Sequence, residues 1–347
     1  MTHRDRATNE TGSQTGQLDP IDARLLDRLQ AGVPLEPDPW SRLGLGDELS
    51  ADQVLQRVTD LKERGVIRQI APIYDTAALG YTSVLVAARV PEDRLDQAAA
   101  VVSRHPGVSH NYSRPASYNL WFTLAVPPGQ SLDDHLDRLA TKAGLESVRP
   151  LPATRTFHIG VRLDMSGQSA TSRPAAPRRK RAAVPLSVFD KQVVRVTQDD
   201  LPLIAAPFEP WCKKLDIEFE QLKQWFERMQ AAGAMRRFAA ILRHRQAGFS
   251  ANGMGVWLVS EDKIEQAGRI AAEFPQVSHC YQRPAYEDWP YNFYTMVHAR
   301  SRPDCEQVIA RIAEQLAPLG VTERHVLYSA TEYKKARVRY FIDESTD

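Results

Sequence analysis

The chain has 347 residues, of which 43% are hydrophobic and 25% charged, and its formal net charge is +1. This length and composition predict about two globular domains, each able to bury a core, and near-neutrality excludes an overall pull toward nucleic acid. No apolar run approaches the roughly 20 residues of a membrane span. Cys212, Cys280 and Cys305 stand far apart, offer no C-x-x-C metal pair and read as reduced thiols of a cytoplasmic protein.

Residues 1–17 lack an apolar signal core and read as a disordered leader. Over 18–32, Ile21, Leu25, Leu26 and Leu29 recur at helical spacing, and Asp19 before Pro20 is the expected N-cap. A Pro-rich connection, PLEPDPW, leads to a short segment and then to a helix over 50–65. Ser50 caps that helix, Val54, Val58 and Leu61 form its stripe, and Gly65 ends it. Residues 66–81 alternate like a short hairpin, so 18–81 predicts a winged helix-turn-helix domain.

From Thr82 the period changes. Strand, helix, strand, strand, helix and strand follow in turn through residue 163, the βαββαβ order of a ferredoxin-like sandwich. Its helices cover one sheet face, so the other must meet a second sheet or a ligand. Residues 164–187 are rich in Ser, Ala and Pro and read as a linker, its Arg178–Arg181 cluster keeping the chain extended and soluble. The same two-part pattern then repeats, with a winged helix over 188–249 and a ferredoxin-like unit over 250–342. The expected fold is therefore α+β, two tandem copies related by a pseudo-twofold, with the two sheets facing or extending each other.

A motif marks the duplication. His110–Phe122 reads HNYSRPASYNLWF and His279–Tyr294 reads HCYQRPAYEDWPYNFY, so both contain His-x-Tyr-x-Arg-Pro and then Tyr-Asn. Alternate residues of a strand share a face, which places His, Tyr and Arg together on each copy. Such a face suits a large, flat, acidic ligand.

A winged helix followed by a ferredoxin-like unit resembles the Lrp/AsnC transcription regulators, and a ligand-responsive regulator of that kind is the alternative function. A DNA reader should present Arg, Lys, Asn or Gln along the second long helix of each half. The first copy offers Gln53, Gln56 and Arg57 among Asp52, Asp60 and Glu63. The second carries Glu218, Glu220 and Glu227 with Phe219, Trp225 and Phe226. An acidic, aromatic helix is a poor partner for phosphates, so no DNA partner is expected and the motif reads as scaffold or pocket wall.

The HxYxRP…YN motif more narrowly resembles the siroheme decarboxylases, which share the Lrp/AsnC architecture. The resemblance covers residues 18–163 and 187–341. It rests on His110, Asn111, Tyr112, Arg114, Tyr118, Asn119, Trp121 and Phe122, and on His279, Tyr281, Arg283, Tyr291 and Asn292. Two related subunits usually pair in that family; here they look fused head to tail, as in the fused D/L-type enzyme of heme d1 formation. The second copy departs from the pattern at Cys280 and at the inserted YEDW, which implies that the halves have diverged in role.

The resemblance implies removal of carbon dioxide from the ring C and D acetates of siroheme, giving 12,18-didecarboxysiroheme. It implies no cofactor beyond the iron of the tetrapyrrole substrate, no membrane, a homodimer as one candidate assembly, and contact with other proteins of the heme d1 pathway. Proton delivery calls for an acid with a pKa near the working pH, and holding many carboxylates calls for Arg forks and Tyr hydroxyls. His110 and His279 are the candidate acids, or one of them an axial ligand of the substrate iron. Tyr112 and Tyr281 are candidate donors to the reacting carboxylate. Arg114, Arg283, Tyr118, Asn119, Tyr291 and Asn292 are candidate substrate-binding residues. To these the basic clusters add Arg68, Arg236, Arg237, Arg243, Lys334, Lys335 and Arg337, whose surplus in the second half suggests an anionic ligand there.

Overall fold

The computed structural model describes residues 18–44, 46, 48–159, 183–242 and 251–342. The expected leader at 1–17, the linker up to residue 182, and Arg243 lie outside the described residues.

Helices α1 (Pro20–Ala31) and α3 (Ala51–Glu63) form where the spacing predicts, and α2 (Pro39–Leu43) lies at the end of the Pro-rich connection. Asp19 accepts from Ile21 N at 2.8 Å, and Ser50 makes a capping box with Gln53, which satisfies amide donors the helix itself leaves open. Gly65, at φ 72°, closes α3 in the left-handed conformation that suits glycine. Strand β1 (Ile67–Tyr74) follows, and here the expectation of a hairpin fails. β1 is a single strand.

The first ferredoxin-like unit contributes β2 (Thr82–Arg89), α4 (Leu95–Arg104), β3 (Val108–Ser113), β4 (Leu120–Val126), α5 (Leu132–Ala143) and β5 (Ser147–Leu151). The stretch expected as its last strand divides, and β6 (Arg155–Ile159) leaves for the other sheet. The second half gives α6 (Val188–Thr197), α7 (Glu209–Leu215), α8 (Phe219–Ala231) and β7 (Met235–Leu242). It continues with β8 (Ala251–Trp257), α9 (Ile264–Ala272), β9 (Val277–Gln282), β10 (Phe293–Ala299), α10 (Arg302–Leu316), β11 (Arg324–Tyr328) and β12 (Glu332–Lys335).

Pairing explains both departures from expectation. β1 finds its partner in β7 of the other half, antiparallel, from Ile67 opposite Leu242 to Tyr74 opposite Met235. The two five-stranded sheets run β12-β3-β4-β2-β5 and β11-β8-β10-β9-β6. Each thus takes its fifth strand from the opposite half. An exposed sheet edge seeks a partner strand, and reciprocal exchange covers both edges at once. The boundary expected at 164–187 is therefore a boundary in sequence, while each sheet is completed across it.

The sheets face each other. Helices α4 and α5 cover the outer face of the first through Val86, Leu120, Phe122 and Leu136, and α9 and α10 cover the second through Phe293, Ile264 and Ile312. Between the sheets Trp121, Leu151, Met254, Val256, Tyr294 and Leu327 pack as a separate core. The two helix-turn-helix units share one further core, to which the C-terminal Tyr340 is added beside Tyr74 and Tyr81.

Candidate functional site

The duplicated motif lies on β3 and β9, and both strands carry the same irregularity. Along β3, Val108 pairs with Leu124 but His110 with Thr123, so Ser109 is an extra residue. Along β9, Val277 pairs with Val297 and His279 with Met296, so Ser278 is extra. A β-bulge re-aims the side chains around it. Adjacent strand residues normally point to opposite faces, yet Ser109 Oγ lies 3.0 Å from His110 Nδ1, and Ser278 Oγ 2.8 Å from His279 Nδ1.

Beyond each bulge the strand alternates and builds a column. The His110 and Tyr112 rings stack with centroids 6.2 Å apart, and the Arg114 guanidinium lies 5.8 Å from the Tyr112 centroid. In the second copy His279 and Tyr281 are 5.9 Å apart and Arg283 is 4.7 Å from Tyr281. Each column ends on the opposite sheet. Arg114 donates to Leu327 O at 2.7 Å, and Arg283 donates to Leu151 O. Nε of both arginines is buried and has no partner among the described residues. A buried guanidinium N–H without an acceptor is costly, and a carboxylate is its natural complement.

The exchanged strands complete the columns. Lys335 stands opposite His110 and Glu332 opposite Tyr112, both from β12. β6 sets Thr156 opposite Tyr281 and His158 opposite Cys280. His298 on β10 accompanies His279 and bonds Asn252 Oδ1 through Nδ1 at 2.6 Å.

Burial shapes the electrostatics. It lowers the His110 pKa to about 4, helped by Arg68 and Lys335. It lowers His279 to about 3, helped by His298, His158, Arg283 and His110. Burial and the Glu332 carboxylate push the Tyr112 phenol up to about 12, and burial brings Arg114 down to about 10. This corrects the expectation of an acid poised near the working pH. Without substrate both imidazoles are neutral at pH 7, because a charged ring would be poorly solvated and would face fixed cations. There they accept protons or give a lone pair to a metal, and do not donate as imidazolium.

Other candidates divide. Arg68 donates to Lys335 O at 3.0 Å and is near enough to act on both His110 and Tyr112. Tyr118 is fully buried between the sheets. Tyr291 packs its ring against Trp289, 5.1 Å between centroids. Asn119 is a correction: its amide bonds both Val90 N and Val90 O, at 2.9 and 2.7 Å, so it mimics a strand and is spent on the backbone. Asn292 does the same with Val259, at 2.9 and 2.8 Å. Arg236 is bonded through two nitrogens to Asp75 Oδ2, and Lys334 Nζ caps the end of α4 through Ser103 O and His105 O. Arg337 donates to Pro72 O in the seam between β1 and the C-terminal segment, and Arg237 stands opposite Ile73 on β7. Arg236 and Lys334 thus hold the scaffold around the columns, while Nη1 of Arg337 is buried without a partner among the described residues.

The inserted turn spans the pseudo-twofold. Asp288 accepts from Tyr118 Oη at 2.6 Å and from Arg149 at 3.0 Å through each of two nitrogens. Trp289 is buried edge-on against Tyr118 and Trp121 and donates to Tyr294 Oη at 2.8 Å. A surface hollow of about 540 Å³ lies over this turn, bounded by Arg149, Tyr286, Glu287 and Asp288, and no imidazole among the described residues lines it.

The sequence reading missed Ser109, Ser278, His298 and Glu332. The serines left a signal, since Val-Ser-His opens both copies of the motif. Glu332 left none, because only strand exchange brings it to Tyr112.

Comparison with known proteins accords with this architecture. The AsnC-like ligand binding domain model matches residues 78–158 and 246–334, and the siroheme decarboxylase NirDL-like HTH domain model matches 22–68 and 190–236. The chain is 37% identical over 322 residues to the siroheme decarboxylase of Hydrogenobacter thermophilus, covering 92% of this chain and 95% of that one. It is 32% identical to the siroheme decarboxylase NirDL subunit of Paracoccus denitrificans, covering 92% and 96%. The siroheme decarboxylase beta subunit of Methanosarcina barkeri is 42% identical over 150 residues, 43% of this chain and 97% of that subunit. The crystal structure of NirDL in complex with an iron-uroporphyrin III analogue superposes with a TM-score of 0.74 at 33% identity, covering 93% and 95%.

Proposed function

The chain belongs to the siroheme decarboxylase family, and we propose that it acts as a carboxy-lyase on the ring C and D acetates of siroheme, giving 12,18-didecarboxysiroheme for heme d1 formation. One observation supports this most: two bulged strands present facing His-Tyr-Arg columns, whose buried Arg114 and Arg283 Nε atoms lack acceptors among the described residues, which a polycarboxylate would supply. The iron-uroporphyrin III analogue held by a solved relative is a ligand of the same chemical kind.

The reaction consumes one proton per arm. A ring–CH2–CO2⁻ group loses carbon dioxide, the electron pair passes toward the conjugated macrocycle, and a proton completes the methyl group, with no net oxidation. Arg114 and Arg283 hold carboxylates at the ends of the columns, with Arg68 and Lys335 adding positive charge beside His110. The many carboxylates bring negative charge to imidazoles kept neutral by burial, and so raise their pKa. His110 and His279 thus take up protons together with the substrate and return them to the reacting carbon, or one of them binds the substrate iron. Tyr112 and Tyr281 donate hydrogen bonds to the reacting carboxylate. No cofactor is needed beyond the substrate's own iron.

Among the described residues no helix is long and apolar enough to cross a membrane. The three cysteines are free, which supports the proposed cytoplasmic setting. The helix-turn-helix is proposed as scaffold: Arg57 is held by Asp19 and Asp22, Gln53 by the capping box and Gln56 by Asp60. Three side chains that would read bases are engaged within the domain.

Anaerobic incubation with siroheme and mass measurement of the tetrapyrrole test the reading. Loss of two carbon dioxide units is expected, and an unchanged mass would overturn it.

A further inference from the structure

We propose that Ser278 is a positioning residue that fixes the tautomer of His279, while Ser109 leaves His110 free to change its own. The geometry starts from the bulges. Only because Ser278 is an extra residue in β9 does its hydroxyl share a side with the next residue and reach His279 Nδ1 at 2.8 Å. The same hydroxyl donates to Met296 O at 3.3 Å. A serine hydroxyl has one proton and two lone pairs. It satisfies both neighbours only when its proton goes to the carbonyl and its lone pair accepts from Nδ1–H. The proton of neutral His279 is then on Nδ1, and Nε2 keeps a bare lone pair.

Ser109 makes the corresponding contact to His110 at 3.0 Å, but the structure gives its hydroxyl no second acceptor among the described residues. That hydroxyl can turn to donate or to accept, so His110 can carry its proton on either nitrogen. The two halves therefore differ in chemistry where their sequences are alike. His279 presents a fixed acceptor atom, suited to the substrate iron or to a proton, and His110 is the ring able to receive a proton at one nitrogen and release it at the other. Both serines are buried, at 4% and 6% exposure, which keeps their hydroxyls on protein partners.

The assignment rests on the siroheme reading only for its consequence in turnover; the tautomer is a property of the protein alone. Long-range proton–nitrogen correlation spectra of protein carrying ¹⁵N-histidine, without substrate at pH 7.5, read it directly, with His279→Gln supplying the assignment. The wild type should show His279 as the Nδ1–H form. Ser278→Ala should lose that form and Ser278→Thr, which keeps the hydroxyl, should retain it. With siroheme, Ser278→Ala should turn over at least about tenfold more slowly, a barrier higher by about 1.4 kcal/mol, and Ser278→Thr should recover most of the rate. An Nε2–H form in the wild type, or no change in Ser278→Ala, would overturn the proposal. Should the wild type fail to decarboxylate siroheme while the tautomer behaves as expected, the substrate reading falls and the positioning role stands.

Discussion

At the level of single residues, burial governs what His110 and His279 can do. Their pKa values fall from 6.5 to about 4 and about 3 in the folded protein. Between those values and pH 6.5 the unfolded chain binds protons that the folded chain refuses, so stability is highest above pH 6.5 and falls as pH drops through that window. His105, also lowered to about 4, adds to the effect. Melting temperature followed from pH 7.5 to 4 should therefore decline, and the double variant His110→Gln/His279→Gln should decline less steeply. The same neutrality predicts proton uptake when the polyanionic siroheme binds. Calorimetry at pH 7 in two buffers of different ionisation enthalpy should give different apparent heats, and equal heats would contradict the account. The imidazoles, phenols and guanidiniums were legible in the sequence because repetition and period-2 spacing expose them. Asn119 and Asn292 were misread because a carboxamide that imitates a backbone bridge cannot be told by spacing from one that binds substrate. Ser109 and Ser278 escaped because a residue next to a strand histidine belongs to the other face unless a bulge intervenes.

Single elements were predictable where the signal is local and failed where the partner is remote. Capped amphipathic helices such as α3 follow from Ser50, the Val54/Val58/Leu61 stripe and Gly65. The period-2 run at 67–74 is a strand, as its alternation says, but alternation does not specify which strand completes the ladder. Pairing β1 to β7 and moving β6 and β12 to opposite sheets are decisions of the tertiary structure. The inserted turn makes a prediction of its own kind. Trp289 is 4% exposed and touches the inner faces of both sheets, so Trp289→Ala should cost about 3–5 kcal/mol in denaturant unfolding. Asp288 and Arg149 are partly exposed, with side-chain accessibility of 37% and 31%, so Asp288→Asn should cost far less, about 1 kcal/mol or under. Similar costs for the two would show that the turn is held by its ion pair and not by packing.

For the molecule as a whole, the exchanged strands make the two halves interdependent. A chain divided within residues 164–182 should still assemble as one complex of unlike halves on co-expression, because each half carries the other's fifth strand; size-exclusion chromatography showing two separate folded monomers would count against this. Relatives that occur as distinct alpha and beta subunits are consistent with such a division. The charge of His110 acts on His279, and each column ends on the opposite sheet, so the two columns are expected to form one shared site. Anaerobic optical titration with siroheme measures this most directly. The account predicts saturation at one equivalent per chain, with His110→Gln and His279→Gln each altering the spectrum of that single complex. Saturation at two equivalents, or a bound spectrum that either replacement leaves untouched, would contradict it.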